Sequence, residues 1–378
     1  MEKDADTEQK GLIYQRTAHM YLHRGQPTTS LSWAKRAVDL FKRLDIPMGT
    51  SLGTALTYTG KTEKGFIYNE KNWPQVFKLG NPLIIGILGH ELVLTKALVK
   101  DVPKGREWGE RILPEVRKAG FRYEGLLLRP LALIYVLSGE MSKAKEVCDL
   151  EMNIESKTLL SCFFEDTSCI GLYFQRIGEL NRAKEYLEWA IPLHEDRNNG
   201  AALSACYFSL ANIQFEEKNY SDAEKLLLMS LDICRKGGNV IYELWILPLM
   251  CETYLKIGKL EKANSCVKRG FELMKSDQKW YGLPANLYLA KAMVLTKKKE
   301  WALATDFFEK AIHLTQKYEL LWDEAKIYYE WSLMYLEKND NGDDKKTHDN
   351  LSLALQIFQR IGAKNEVKKI LNLKQTLK

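Results

Sequence analysis

The sequence predicts an all-α solenoid of about nine helical hairpins, closed by a C-terminal capping helix. Two observations carry that prediction. A pattern of small, large and small residues recurs at a period near 40 across almost the whole chain, and helix breakers are scarce. The 378 residues hold 24 glycines and 10 prolines, against the roughly 45 that average usage would give. Length alone suggests two or three domains of ~150 residues, but self-similarity at a fixed period replaces that count with one stack of repeats.

The clearest copies centre on Ala183, Ala223, Ala263 and Ala304. Each centre opens the second helix of a hairpin, with a large apolar residue four later and another small residue three beyond that. Residues three and four apart share one helical face, so a small side chain at the crossing lets two helix axes approach while the large neighbour fills the gap. In the copy on Ala183, Gly171 of the first helix is expected to face Ala183 and Ala190, with Phe174 and Leu187 as the large partners. Gly178, Gly258 and the pair Lys218 and Asn219 mark the turns.

Towards the N-terminus a further copy centres on Ala144, and weaker ones on Gly105, Gly65 and Ser30. Towards the C-terminus a ninth centres on Thr347, its turn lengthened by Asn339 to Lys346. The organisation expected is a lead at 1–10, divergent hairpins at 11–124, regular hairpins at 125–361 and a capping helix at 362–378. In the divergent part Gly65, Gly105 and Gly109 depart from the pattern, and Pro74 and Pro103 interrupt it.

Composition narrows the function classes. Hydrophobic residues make up 46% and charged residues 28%, which favours neither disorder nor a membrane bundle. The net charge of +6 is spread along the chain, too mild for the clustered basic face of a nucleic-acid binder. Most aromatics, such as Tyr135, Phe174, Tyr254, Phe308 and Tyr335, fall at repeat-core positions; Trp245, Tyr207 and Phe208 are expected at a groove. Seven cysteines, without a CxxC pair, read as buried thiols of a reduced cytoplasmic protein. The charged start MEKDADTEQK reads as no secretory signal. The apolar stretch PLIIGILGHELVLTKALV is broken by His90, Glu91 and Lys96, so it reads as a buried helix rather than a membrane span.

The repeat resembles the tetratricopeptide repeat, whose pattern runs W-x2-L-G-x2-Y and then A-x3-F with another small residue three on. The resemblance covers about 11 to 361. With its period near 40 and its ending LSLALQIFQRIGAKNEVKKIL, it is similar to the repeat regions of large signalling ATPases, including LuxR-type ATP-binding regulators and cyclase- or kinase-linked ATPases. The resemblance implies a right-handed superhelix acting as a sensor or scaffold, in relatives often beside a fused or associated ATPase or effector domain. It also implies a concave groove lined by the second, fifth, ninth and twelfth positions of each first helix. Those positions are Arg129, Leu133 and Val136; Glu165, Ser168, Leu172 and Gln175; Ala205, Phe208, Asn212 and Phe215; and Trp245, Pro248, Glu252 and Leu255. Among them Arg129, Glu165, Ser168, Gln175, Phe208, Asn212, Trp245 and Glu252 are the expected partner-binding residues. Arg129 and Asn212 suit a carboxylate or a backbone amide, Glu165 and Glu252 a basic residue, and the aromatics apolar side chains.

Candidate chemistry is thin. ALTYTGKT (Ala55 to Thr62) fits a relaxed phosphate-loop pattern, but the loop needs a preceding strand, and Gly60 falls at a hairpin turn. His19 and His23 have the i, i+4 spacing of a metal pair without a third ligand, so they read as a solvated or groove-lining pair. No catalytic constellation, cofactor or metal site is expected. The function expected is a non-enzymatic scaffold or regulatory sensor that holds a protein or peptide in its groove, with no nucleic acid or membrane partner. The alternatives are a signalling-peptide or small-ligand receptor that changes superhelix shape on binding, and an all-helical enzyme using the proline-rich stretch 46–120.

Overall fold

The backbone turns the repeat into a constant register. In the computed structural model, which describes residues 2–43, 51–118, 121–155, 167–275 and 278–377, a residue in the left-handed conformation stands five positions before every repeat centre. These are Gly25, Gly60, Lys100, Gly139, Gly178, Lys218, Gly258, Lys299 and Gly342. In the first eight hairpins the left-handed residue lies in the turn directly after the first helix and reverses the chain; in the ninth, Asn339 ends α17 and Gly342 caps the start of α18. All nine centres, from Ser30 to Thr347, are buried.

The described residues form nineteen helices and no strand. The first helices of the hairpins are α1 (Glu2–His23), α3 (Ser51–Tyr58), α5 (Pro82–Leu98), α7 (Phe121–Ser138), α9 (Thr167–Arg176), α11 (Gly200–Glu216), α13 (Val240–Lys256), α15 (Pro284–Lys297) and α17 (Leu321–Lys338). The second helices are α2 (Pro27–Arg43), α4 (Thr62–Leu79), α6 (Val102–Lys118), α8 (Met141–Glu155), α10 (Leu180–Asp196), α12 (Tyr220–Gly237), α14 (Leu260–Leu273), α16 (Trp301–Lys317) and α18 (Asp343–Ile361). A last helix, α19 (Lys364–Thr376), covers the end of the stack. The stretch expected as a lead is helical from Glu2 and continuous with α1.

Packing follows the small-large-small logic. Leu187 seats directly on Gly171, where a Cβ would lie 2.9 Å from its side chain. The early hairpins differ because their neighbours press closer. A Cβ on Gly105 would meet Ile134 at 2.4 Å, and one on Gly109 would meet Leu131 at 2.2 Å, so glycine is required where later repeats accept alanine. Pro74 sits within α4 and Pro103 at the second residue of α6. A proline in a first turn gives up no hydrogen bond, so Pro103 leaves the register intact.

Beyond stacking neighbour on neighbour, the chain meets itself again roughly four to five hairpins further on. Gly25 at the first turn lies against Gly200 and Ala201, Gly60 against Val240 and Trp280, and Gly178 against Asn365. Thr62 donates its hydroxyl hydrogen to the carbonyl of Lys279 at 2.8 Å, and the Trp245 indole donates to the carbonyl of Leu98 at 2.7 Å. The superhelix therefore completes a turn and rests the next one on it, with the inner faces of the first helices around a central channel.

The apolar stretch at 82–99 is α5, and His90, Glu91 and Lys96 are themselves buried there. No helix among the described residues is long and apolar enough to cross a membrane. The six cysteines within the described residues are buried and form no disulfide with one another; Cys162 lies outside them.

Candidate functional site: the superhelical channel

The channel holds a cavity of about 820 Å³, within the roughly 300–1,000 Å³ of small-ligand sites. Its wall draws on α9, α11, α13, α15, α17 and α19, with Lys100 contributed by the turn after α5. Because first helices repeat at a period near 40, equivalent positions line up along the wall. Leu172, Asn212 and Glu252 form one row, and Arg176, Glu216 and Lys256 form another.

The charged groups are mostly tied to one another. Lys100 donates to Asp323 at 2.5 Å and to Asn286 at 3.1 Å, and its ammonium lies 4.8 Å from the Trp245 ring centre. Lys326 pairs with Glu252 at 2.7 Å, Lys369 with Glu366 at 3.3 Å, and Gln175 donates to Glu216. Burial lowers the Lys100 ammonium from its ordinary value. Burial alone would raise Asp323, but the charges of Lys100 and Arg176 outweigh it and hold that carboxyl below its usual range. Burial raises Glu216 and Glu330.

At one end the polar wall gives way to an apolar pocket of about 50 Å³. Leu172, Phe208 and Trp245 belong to both spaces, and Phe208 meets Trp245 edge to face with ring centres 6.1 Å apart. Leu94, Leu98 and Leu133 close the far side. The arrangement can take a short aliphatic side chain at this end and hydrogen-bonding groups along the rest.

Of the expected partner-binding residues, Gln175, Phe208, Asn212, Trp245 and Glu252 line the large cavity. Three of them already serve the fold: Trp245 donates to the Leu98 carbonyl, the Glu252 carboxylate pairs with Lys326, and Gln175 donates to Glu216. Asn212 donates to the Phe208 carbonyl at 3.0 Å and lines the large cavity. Arg129 is 4% exposed and sits near His194, whose ionisation its charge opposes; it lines neither space. Tyr207 turns away, donating to Glu195 at 3.1 Å. Glu165 lies outside the described residues, as does the side chain of Ser168. Sequence reasoning missed the row of Arg176, Glu216 and Lys256, although its period equals that of Asn212 and Glu252. It also missed Lys100, Trp322, Asp323 and Lys326, which only the second superhelical turn delivers.

The remaining candidates settle into structural places. Gly60 of the phosphate-loop pattern is the left-handed residue of the α3–α4 turn, and Thr62 is spent on Lys279. His19 and His23 are half-buried rather than solvated, with ring nitrogens 2.9 Å apart; burial, and secondarily the charge of His90, lowers His19 to about 4. Among the described residues of the stretch 46–120, Lys100 alone lines the large cavity.

No protein-family model and no curated protein matches the sequence. Solved structures do. Rap protein complexed with competence and sporulation factor superposes with a TM-score of 0.62 at 12% identity, over 96% of this chain and 99% of that one. The fold is a tetratricopeptide-repeat solenoid. NprR in complex with its cognate peptide NprX is similar at 0.53 and 17% identity, over 90% of this solenoid and 99% of that chain. A signal transduction ATPase with a tetratricopeptide repeat sensor, from Pyrococcus horikoshii, gives 0.50 at 18% identity over 82% of this solenoid. The match spans 49% of that ATPase chain. At such identities the likeness concerns the fold.

Proposed function

We propose that this solenoid is a regulatory receptor that binds a short peptide, or an extended segment of a partner protein, in its central channel. The observation that carries the reading is the channel itself, a polar wall of paired charges and amides ending in the apolar pocket at Phe208 and Trp245. Extended chains need backbone hydrogen-bond partners along their length and a few side-chain pockets, and Asn212 and the apolar pocket offer both. The complexes of Rap with competence and sporulation factor and of NprR with its cognate peptide NprX support it, since both are proteins of this fold that bind such a factor or peptide. Lys100 and Asp323 belong both to the channel wall and to the contact between turns, so occupancy changes superhelix shape. A cytoplasmic setting and a fused or associated effector such as an ATPase fit this role; no catalytic step does.

The test is thermal melting of the protein with pools of synthetic hexapeptides. Ligand at a hundred times its Kd stabilises by about 2.7 kcal/mol, a shift of several degrees. Asn212→Ala with Phe208→Ala abolishes that shift. An equal shift in the double variant, or none in the wild type, refutes the channel as the binding site.

A further inference from the structure

Arg176, the last residue of α9, lines the channel, and among the described residues it forms no ion pair. Its guanidinium carbon lies 3.9 Å from the ring centre of Trp322, which stacks against it. Four carboxylates act on it electrostatically: Asp323, Glu216, Glu366 and Glu252. Each is committed elsewhere, Asp323 to Lys100, Glu216 to Gln175, Glu366 to Lys369 and Glu252 to Lys326. Among the described residues none accepts a hydrogen bond or forms an ion pair with the Arg176 fork. Desolvation by the surrounding protein lowers it to about 10, and the surface it keeps is the surface of the channel.

An arginine seated over an indole and lining a cavity can offer its planar fork to a planar anion there. We propose that Arg176, stacked on Trp322, is the anchor for a carboxylate of the ligand, either the C-terminal carboxylate of a peptide or an acidic side chain. The inference rests on the channel being a peptide site and adds which chemical group fixes the ligand's place in it. A carboxylate suits the site better than a phosphate. Glu216, Glu252, Asp323, Glu330 and Glu366 already stand in the wall, and repel a doubly charged group more than a singly charged one.

The experiment uses the full chain and four hexapeptide pools: free-acid or C-terminally amidated, each with or without Asp and Glu, with bound peptide read by native mass spectrometry. A charge-assisted pair predicts that pools carrying a carboxylate are retained about ten- to a hundredfold more than the amidated pool without Asp and Glu. Arg176→Gln is expected to bring every pool down to that lowest level. Preference for the free-acid pool assigns the terminus, and preference for the acidic pool assigns a side chain; either supports the anchor. Retention indifferent to carboxylates, or unchanged by Arg176→Gln, overturns the anchor while leaving the channel reading in place. Retention of a phosphopeptide pool in preference to all four also overturns it, and no retention of any pool by the wild type sinks both. The melting temperature of Arg176→Gln without peptide is an independent check. It falls by no more than the few degrees that loss of the Trp322 contact allows if the fork is unpaired at rest, and a larger fall would show the arginine to be a structural partner.

Discussion

Lys100 and Asp323, 223 residues apart in the chain, meet at 2.5 Å in the channel wall. Their side chains are 3% and 6% exposed, so neither finds water if the other is removed. Such a pair, once formed, is costly to break from one side. Asp323→Leu and Lys100→Met are each expected to lower the free energy of unfolding by about 3–5 kcal/mol, and the double change Lys100→Met with Asp323→Leu by much less than the sum of the two singles. Urea denaturation of the three variants decides it; additive losses would mean the two residues act separately.

Gly237 ends α12 at the point where the turns touch. A Cβ there would lie 1.6 Å from the Gly25 carbonyl oxygen, an impossible contact with backbone on both sides. Replacing a helical glycine with alanine ordinarily stabilises by ~1 kcal/mol. Gly237→Ala is expected to do the reverse, by about 1–3 kcal/mol, and to expand the molecule as the first turn lifts from the second. Denaturation together with small-angle scattering would show both effects, and a gain in stability would refute the contact.

Much of the hairpin plan was legible because a small residue at a helix crossing is a local need that repeats. Ala183, Ala223, Ala263 and Ala304 announce themselves by spacing. Gly65 and Gly105 hid the same register because tighter packing had removed the methyl group on which the pattern relies. The site was half legible. Asn212 and Glu252 follow from helix register, whereas Lys100, Trp322 and Asp323 arrive through superhelical pitch, the sum of small rotations that no short stretch encodes. Arg129 holds an inner-face position by count, yet its neighbours close over it.

Trp245 serves the fold as well as the channel. Trp245→Phe keeps one aromatic ring and loses the fused pyrrole ring, with the N–H that donates to the Leu98 carbonyl at 2.7 Å and part of the surface that meets Phe208 and Lys100. Leaving that carbonyl unsatisfied is expected to cost about 1–3 kcal/mol. Guanidinium denaturation of this variant measures it, and an unchanged midpoint would mean water replaces the indole.

Histidines make the fold sensitive to acid. Burial, and then the charge of Arg129, lowers His194 from 6.5 to about 4, and burial does the same for His19. The unfolded chain takes up protons near pH 6.5 while the folded one resists until about 4. The stability these groups contribute is therefore complete above about 6.5 and is lost as pH falls towards 4. For His194 the loss is on the order of 3 kcal/mol. Melting curves between pH 7 and 4 should show the decline, and His194→Gln should flatten it; an identical decline in that variant would place the effect elsewhere.

An open solenoid can gain or lose a unit by duplication or deletion, because each unit meets only its neighbours. Here that freedom is gone. Excising one hairpin between Lys100 and Asp323 would slide every later residue past its partner on the turn below, setting Trp245 and Leu98 or Gly178 and Asn365 against strangers. The number of units between touching coils is as much a part of this fold as any side chain. Change in its lineage would come by substitution within hairpins, not by adding or removing them.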